Sequence, residues 1–234
     1  MSVPNGHESE DREHPFATAA MLGGPALQLA DREGLEAVTL RGLASHLGVH
    51  VTSLYNHVLD KEAVLDGMVE HLIQEANLPT GNMEWEEWIR RFAAAIRAVA
   101  HKHPGAFTVF HHRPVQGLRA AESTEAALAA FRAAGFDLIE ACGAIKSTSL
   151  AVLGLVLDDL TRLRNPNLRA DLSALPPERF PHFRAAGAIA SKVEAWSCLL
   201  DALVTGYAAK LSESEARRRR ATSCCKRGPR GTTG

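Results

Sequence analysis

Residues 39–61 constrain the fold of this chain more than any other stretch of its sequence. Apolar residues recur there at helical spacings of three and four, at Leu40, Leu43, Ala44 and Leu47. This pattern predicts a short helix that Thr39 can cap and Gly48 can end. The spacing of Leu54 and Val58 predicts a second short helix directly afterwards. Two brief helices joined by a glycine turn form a helix-turn-helix, and we call residues 39–61 the turn motif.

The second helix of the turn motif, predicted from about residue 51 to residue 58, has an outward face with a distinctive chemistry. A helix that serves only stability can carry lysine and glutamate there, whereas this one carries hydroxyls, an amide and a phenol. Such groups can reach the base edges and phosphates of DNA. Base reading is therefore expected from His50, Val51, Thr52, Ser53 and Asn56. Thr39 is expected to contact a phosphate, because the backbone amides at a helix N-terminus point outward.

Residues 29–68, and above all the run LGVHVTSLYNHVLDKEAVL, resemble the N-terminal domain of the tetracycline-repressor (TetR) family of transcriptional regulators. The resemblance implies an all-α protein, with a three-helix helix-turn-helix domain followed by a helical domain for ligand binding and dimerisation. It also implies phosphate contacts for Tyr55, His57 and Lys61, and a guanine or backbone contact for Arg41. The alternative is that all of these are plain surface residues of a helical domain.

The first helix departs from the pattern of the resembled family, whose first helix usually begins further back and runs unbroken. Here Gly23, Gly24 and Pro25 interrupt the helical pattern. The sequence therefore predicts either a short helix over residues 25–33 or a separate turn at residues 18–22.

The distribution of charge does not favour a simple electrostatic attraction to DNA. The net charge is −1, and residues 1–78 contain four lysines and arginines against twelve aspartates and glutamates. Binding should then depend on a few well-placed cations, hydroxyls and helix N-termini, with a modest dependence on salt.

Composition divides the chain into four parts. Residues 1–18 are polar and aperiodic and are expected to form a disordered head, followed by a helix-turn-helix domain over residues 19–78. Residues 79–211 are rich in alanine and leucine at helical spacing, which predicts a helical domain for effector binding and dimerisation. Residues 212–234 carry seven cations against two glutamates, with glycine and proline, and are expected to be a disordered basic tail.

Two long helices are expected in the C-terminal domain, over residues 138–163 and 189–211, and both are apolar over much of their circumference. Such faces need a partner surface. In the resembled family the corresponding helices pack against their counterparts in a second subunit, so a homodimer is expected. The alternative is two core helices of a monomer.

The resemblance implies an unidentified small organic effector, bound between helices of the C-terminal domain. Candidate pocket residues are Trp88, Phe92, His103, Phe107, Phe110, Phe131 and Trp196, although each aromatic residue alone is more typical of plain core. Four histidines occur close together, at His101, His103, His111 and His112. Carboxylates and thiolates are not nearby in sequence, so we expect neither a metal site nor a cofactor. The histidines could instead line the pocket or lie at solvated helix ends.

Several classes of protein are disfavoured. The sequence has no glycine-rich phosphate loop and no nucleophile elbow, so we do not expect an enzyme. No stretch approaches the roughly 18 apolar residues of a membrane span, and the polar N-terminus lacks the order of a signal peptide. A cytoplasmic location with no membrane partner follows. Cys142 and Cys198 fall within apolar helical patterns and are expected to be buried free thiols.

The sequence thus predicts a DNA-binding transcriptional regulator, most simply a repressor that a small organic ligand releases from a palindromic double-stranded DNA operator. The alternatives are a constitutive dimeric DNA-binding protein with no ligand response and a helical enzyme that carries the same motif.

Overall fold

The computed structural model describes residues 15–55, 60–111, 117–166, 175–189 and 193–225. All regular structure in these ranges is helical, which confirms the predicted all-α fold. The α-helices are α1 (Pro15–Glu33), α2 (Leu40–Leu47), α3 (Val51–Tyr55), α4 (Lys61–Glu75), α5 (Trp85–Lys102), α6 (Leu118–Ala134), α7 (Leu138–Arg164), α8 (Pro181–Ile189) and α9 (Ala195–Cys225). Two short 3-10 helices, η1 (Leu35–Ala37) and η2 (Phe107–His111), follow α1 and α5.

Helix α1 is longer than predicted, because it runs through Pro25 instead of beginning there. Gly23 explains the difference: a Cβ atom at this position would collide with the backbone carbonyl of Gly67 in α4. The two helices therefore cross with their backbones in close approach, and this packing outweighs the weak helix propensity of the segment. Helix α1 also includes residues 15–18 of the predicted disordered head, whereas residues 1–14 lie outside the described residues.

The described residues form two compact units. The first unit contains the chain up to Leu78 together with residues 95–123, and the second contains residues 79–94 and the chain from Thr124 onward. The second half of α5 and the beginning of α6 thus belong to the same unit as the turn motif. The sequence predicted one domain over residues 79–211. The contacts instead divide α5 and α6 between the two units.

An aromatic core holds the second unit together. Trp85 lies 5.4 Å from Phe131 and 5.7 Å from Phe136 between ring centroids, and the ring of Tyr207 joins the same cluster. The hydroxyl of Tyr207 donates to the carbonyl oxygen of Ala144 in α7 at 3.1 Å. This contact ties α9 to α7 through a buried polar group that has its hydrogen bond.

Helix α7 begins at a capping box. The Asp137 side chain accepts a hydrogen bond from the Glu140 backbone amide, and the Glu140 side chain accepts one from the Asp137 backbone amide. One stripe of α7 is buried, at Ala141, Ala144, Thr148, Val152, Val156 and Leu160. The same helix contains an 18-residue window of mean hydropathy 1.5, of which 28% is buried. By length and composition alone it could cross a membrane, contrary to the expectation that no stretch approaches that limit. Ala141 and Ala144 of its buried stripe pack in the aromatic core of the second unit.

Helix α9 extends through residues 212–225, where the sequence predicted a disordered tail. Glycine and proline are absent from that segment, and Arg217 pairs with Glu213 one turn earlier at 3.4 Å. Residues 226–234 lie outside the described part of the chain. The prediction of buried thiols is wrong for Cys142 in α7 and Cys198 in α9, because both are exposed.

Candidate nucleic-acid interface

The framework of the turn motif is set by local signals and a small core. The Thr39 hydroxyl accepts a hydrogen bond from the Gly42 backbone at 2.9 Å, so that it caps α2 as predicted. Gly48 ends the helix in the left-handed conformation, with φ of 68°. Leu43 and Leu54 are buried beneath α2 and α3, whereas Leu47 at the end of the apolar stripe stays 37% exposed.

The outer surface of the turn motif carries the polar groups that the sequence predicted. The exposed candidates are Thr39, Arg41, His50, Thr52 and Ser53, and Val51 is half-buried at the start of α3. Leu54 alone among the described side chains of α3 is buried, so the helix presents its hydroxyls outward and its leucine inward. This arrangement leaves donors and acceptors free to meet base edges or phosphates.

Lys61 is the first residue of α4 and is half-buried. Asp60 caps this helix by accepting from the Ala63 backbone at 2.9 Å. Tyr55 is the last residue of α3, and its side chain is not described; Asn56 and His57 lie outside the described residues. The contacts expected from these three side chains therefore stay predictions.

Charges around the turn motif are mixed. Arg32, near the end of α1, donates to Nδ1 of His46 in α2 at 3.5 Å and also lies 3.5 Å from Glu33. Burial, followed by the nearby charge of Asp60, raises the pKa of Asp66 on α4 above its ordinary value. Sequence reasoning did not single out Arg32 or His46, because their proximity depends on how α1 packs against α2.

The seven candidate pocket residues are distributed over both units. His103, Phe107 and Phe110 belong to the first unit, and Trp88, Phe92, Phe131 and Trp196 belong to the second. Trp88, Phe107 and Phe131 are buried, whereas Phe92, Phe110 and Trp196 are half-buried. Rings stack or tilt against each other at 4.9 Å between centroids in the pairs Trp88–Phe92 and Phe107–Phe110.

Two polar candidates of the pocket already have partners within the chain. The Trp196 indole donates to Oδ2 of Asp159 at 2.6 Å, which links α9 to α7. Both ring nitrogens of His103 face carboxylates. Sequence reasoning missed the aromatic partners of Phe131, namely Trp85, Phe136 and Tyr207, although Trp85 is spaced helically with Trp88 and Phe92.

A cavity of about 290 Å³ lies in the second unit between α7 and α9. Its lining residues are Phe136, Ile139, Glu140, Gly143, Ala144, Ser147, Tyr207 and Lys210, none of which is among the seven candidates. Among the lining groups, the Tyr207 hydroxyl lies 2.8 Å from the Ser147 hydroxyl, so these two are paired within the chain.

The histidine cluster is not arranged around a metal in the part that the structure describes. In that part, no group of three or more histidine, cysteine, aspartate and glutamate side chains could hold a metal ion. His101 is exposed and His103 is buried, whereas the side chain of His111 and all of His112 lie outside the description.

Comparison with known proteins gives matches over most of the chain. A family model described as tetracyclin repressor-like, C-terminal domain, matches residues 78–198. An HTH-type transcriptional regulator of Saccharopolyspora erythraea is 35% identical over 150 residues, which are 64% of this chain and 64% of that protein. The class E tetracycline repressor protein of Escherichia coli is 30% identical over 196 residues, 81% of this chain and 90% of that repressor.

A solved structure supports the same architecture. The TetR family protein ActR of Streptomyces coelicolor, in complex with actinorhodin, has a TM-score of 0.70 at 21% identity, covering 82% of this chain and 95% of that one. At this identity the similarity concerns the fold.

Proposed function

Since the chain belongs to the tetracycline-repressor family of transcriptional regulators, we propose that it is a repressor that binds a palindromic operator as a homodimer and leaves it when a small organic molecule binds. The observation that carries this proposal is the surface of α2 and α3, where hydroxyls and a guanidinium are exposed over a buried leucine core. The proposal includes no catalytic step, and it places the protein in the cytoplasm, where chromosomal DNA is accessible.

Recognition of the operator follows from the exposed groups. Helix α3 enters the major groove, where the side chains of Val51, Thr52 and Ser53 meet base edges and thymine methyl groups. Arg41 and Lys61 hold phosphates on either side and fix the register of the helix without reading sequence. In a two-fold dimer the second α3 meets the next major groove about 34–36 Å away, or further, which requires a palindromic site.

A second copy of the chain is the proposed partner of α7. This helix leaves large apolar side chains exposed, with Ile139 and Leu150 on the side opposite its buried stripe and Leu138 and Leu163 at its two ends. Such an apolar surface is costly to expose to water, and self-association through a two-fold axis covers it on both subunits at once. Helix α9 lies beside α7 and completes the face.

Release by an effector is proposed from family membership and from the helical, aromatic-rich second unit. ActR was solved with actinorhodin bound, which shows that one protein of this fold takes up an organic molecule. An effector bound in this chain would disfavour the separation of the two turn motifs that DNA requires. Coupling of this kind is typically worth about 1–3 kcal/mol.

The experiment selects the preferred DNA of the full-length protein from a random pool and then screens small organic compounds for release of that DNA. An enriched palindrome that one compound class releases supports the proposal. No enriched sequence contradicts it, and an enriched sequence that no compound releases favours the constitutive alternative.

Two variants separate base reading from phosphate contact. Thr52→Ala should relax sequence choice at one base pair at a cost of about 1–3 kcal/mol, whereas Lys61→Ala should weaken all sequences alike. Equal losses on the selected and on random DNA for Thr52→Ala would contradict the assignment of α3 as the reading helix.

A further inference from the structure

His103 joins three elements of the first unit at one buried point. It follows the last residue of α5, and only 8% of its surface is exposed. Its Nδ1 lies 2.5 Å from Oδ2 of Asp31 near the end of α1, and its Nε2 lies 3.0 Å from Oε2 of Glu75 at the end of α4. One imidazole ring therefore bridges α1, α4 and the turn after α5.

The two contacts determine what each protonation state of this ring can satisfy. An ionised carboxylate only accepts hydrogen bonds, and a neutral imidazole has one N–H group. Two carboxylates can both be satisfied only if both ring nitrogens carry a proton, which makes the ring a cation. A neutral His103 would direct a lone pair at one of the two carboxylates and lose that bond.

The two carboxylates differ in their other partners. Glu75 also receives hydrogen bonds or ion pairs from Lys102 of α5 and from Nε2 of His71 on α4. The hydrogen bond from Lys102, reinforced by His103, lowers the pKa of Glu75 to about 2, so this carboxyl accepts throughout the range in which histidines titrate. Asp31 of α1 has His103 as its ion-pair partner within the described part of the chain. A neutral His103 therefore keeps only one of its two carboxylate contacts, and the bridge between α1 and α4 is complete only when both ring nitrogens carry a proton.

The bridged end of α1 leads directly into the turn motif. The Gly34 backbone donates to the Ala30 carbonyl at 2.8 Å, and η1 then connects to Thr39, the cap of α2. The turn after α5 is fitted against the same place, because a Cβ atom at Gly105 would lie 2.6 Å from the Ala30 carbonyl oxygen. A change in the order of the end of α1 therefore affects α2, the first helix of the turn motif.

We propose that His103 is a proton-dependent clamp that holds the end of α1 to α4 and to the turn after α5, so that operator binding tightens as pH falls through the range in which imidazole gains its second proton. The clamp responds to the binding of a proton by the His103 ring. His103 acts as a positioning residue and does not contact DNA. The DNA part rests on the proposed function, whereas the clamp itself does not.

The first test measures hydrogen exchange of the amides in residues 26–34 at several pH values from about 5.5 to 8, in protein without DNA and with intrinsic exchange rates removed. Protection in the wild type should rise by roughly tenfold toward the lower pH, as expected when a charge-assisted hydrogen bond forms. His103→Gln should remove this dependence, because glutamine does not titrate. His71→Gln, which alters another histidine on Glu75 but not the Asp31 contact, should keep it.

A second variant keeps the test decisive if His103→Gln does not fold. In Asp31→Asn the amide can donate to Nδ1 while Nε2–H donates to Glu75, so a neutral ring satisfies both partners. Protection should then be high and independent of pH. A wild-type protein with flat protection, or a pH dependence that survives in Asp31→Asn, overturns the clamp.

The second test measures affinity for the selected DNA over the same pH values. Other histidines near the DNA, including His46 and His50, can add their own pH dependence, so the comparison is between wild type and Asp31→Asn. Wild-type affinity should fall several-fold more toward high pH than that of the variant. Equal dependence in both, together with intact exchange results, overturns the coupling to DNA. Absence of any specific DNA binding contradicts the proposed function and leaves the exchange test in force.

Discussion

Helices α4 and α7 each bury an apolar stripe but have different relations to the rest of the chain. Helix α4 is covered by α1 along its length and buries Val64, Gly67, Met68, Val69, Leu72 and Ile73. Helix α7 buries one stripe in the second unit and leaves Ile139 and Leu150 exposed on its opposite side. An apolar helical pattern therefore predicts burial, but it does not indicate whether the covering surface belongs to the same chain.

The difference arises from the residues that allow close approach. In α4, Gly67 meets Gly23 of α1, and the two backbones pack without intervening side chains. In α7, a Cβ atom added at Gly143 or Gly154 would have no neighbouring atom of this chain within 4 Å. The glycine of α4 is thus used in a contact within the chain, whereas the glycines of α7 lie on a surface that the chain leaves uncovered.

The strongest test of this comparison makes the same substitution on both helices. Leu72→Ala in α4, at a side chain with 0% exposure, should lower the free energy of unfolding by about 2–5 kcal/mol, because it leaves a cavity. Leu150→Ala in α7, at 61% exposure, should change the stability of the single chain by less than about 0.5 kcal/mol. Denaturant unfolding at several protein concentrations measures both. An equal, concentration-independent loss would show that Leu150 is packed within its own chain.

A charge on the open side of α7 gives the next largest effect. Ile139 is 84% exposed, so Ile139→Lys should leave the fold intact while raising the dimer dissociation constant by tenfold or more, about 1.4 kcal/mol. Sedimentation measures the constant, and circular dichroism checks the fold. Ala129→Lys, on an exposed position of α6, is the matched control and should leave the association unchanged. A dimer that tolerates Ile139→Lys would place the interface elsewhere.

Local signals explain which parts of the fold could be predicted. Both ends of α2 follow from Thr39 and Gly48, which act on neighbouring residues. The start of α1 could not be predicted, because its continuation through Pro25 depends on a glycine contact with α4. The extent of α9 was missed because composition alone does not separate a charged helix from a charged tail.

The candidate site divides in the same way. The exposed face of α3 was predictable from the alternation of Leu54 with hydroxyl-bearing neighbours. The bridge at His103 was not, because its partners Asp31 and Glu75 are 72 and 28 residues away in the sequence. Pairing over such distances depends on how three helices pack, which no local pattern contains.

A smaller effect is expected at the cap of α2, where stability depends on one local hydrogen bond instead of on burial. Thr39→Ala removes the acceptor for the Gly42 amide and should lower the free energy of unfolding by about 1 kcal/mol. Thr80→Ala, at an exposed position outside the helices, should have no comparable effect. Thermal unfolding of both variants provides the comparison. A loss at Thr39 as large as that for Leu72→Ala would mean that the turn motif depends on its cap as much as on its core.

The last effect depends on pH and concerns Glu75, at the end of α4. The pKa of Glu75 is about 2 in the folded chain, compared with an ordinary value of 4.5, chiefly because Lys102 donates to it. A carboxyl with a lowered pKa stabilises the fold fully above its unfolded pKa and loses that contribution as pH falls from about 4.5 toward 2. Glu75→Gln should therefore be less stable than wild type at neutral pH, and the difference should shrink as the solution is acidified through this window. Thermal melts from pH 7 down to the acid limit measure it, with Glu87→Gln as an exposed control that pairs with Arg91 one turn later in its own helix. A difference that stays constant with pH would mean that Glu75 acts by packing and that its ion pairs do not stabilise the end of α4.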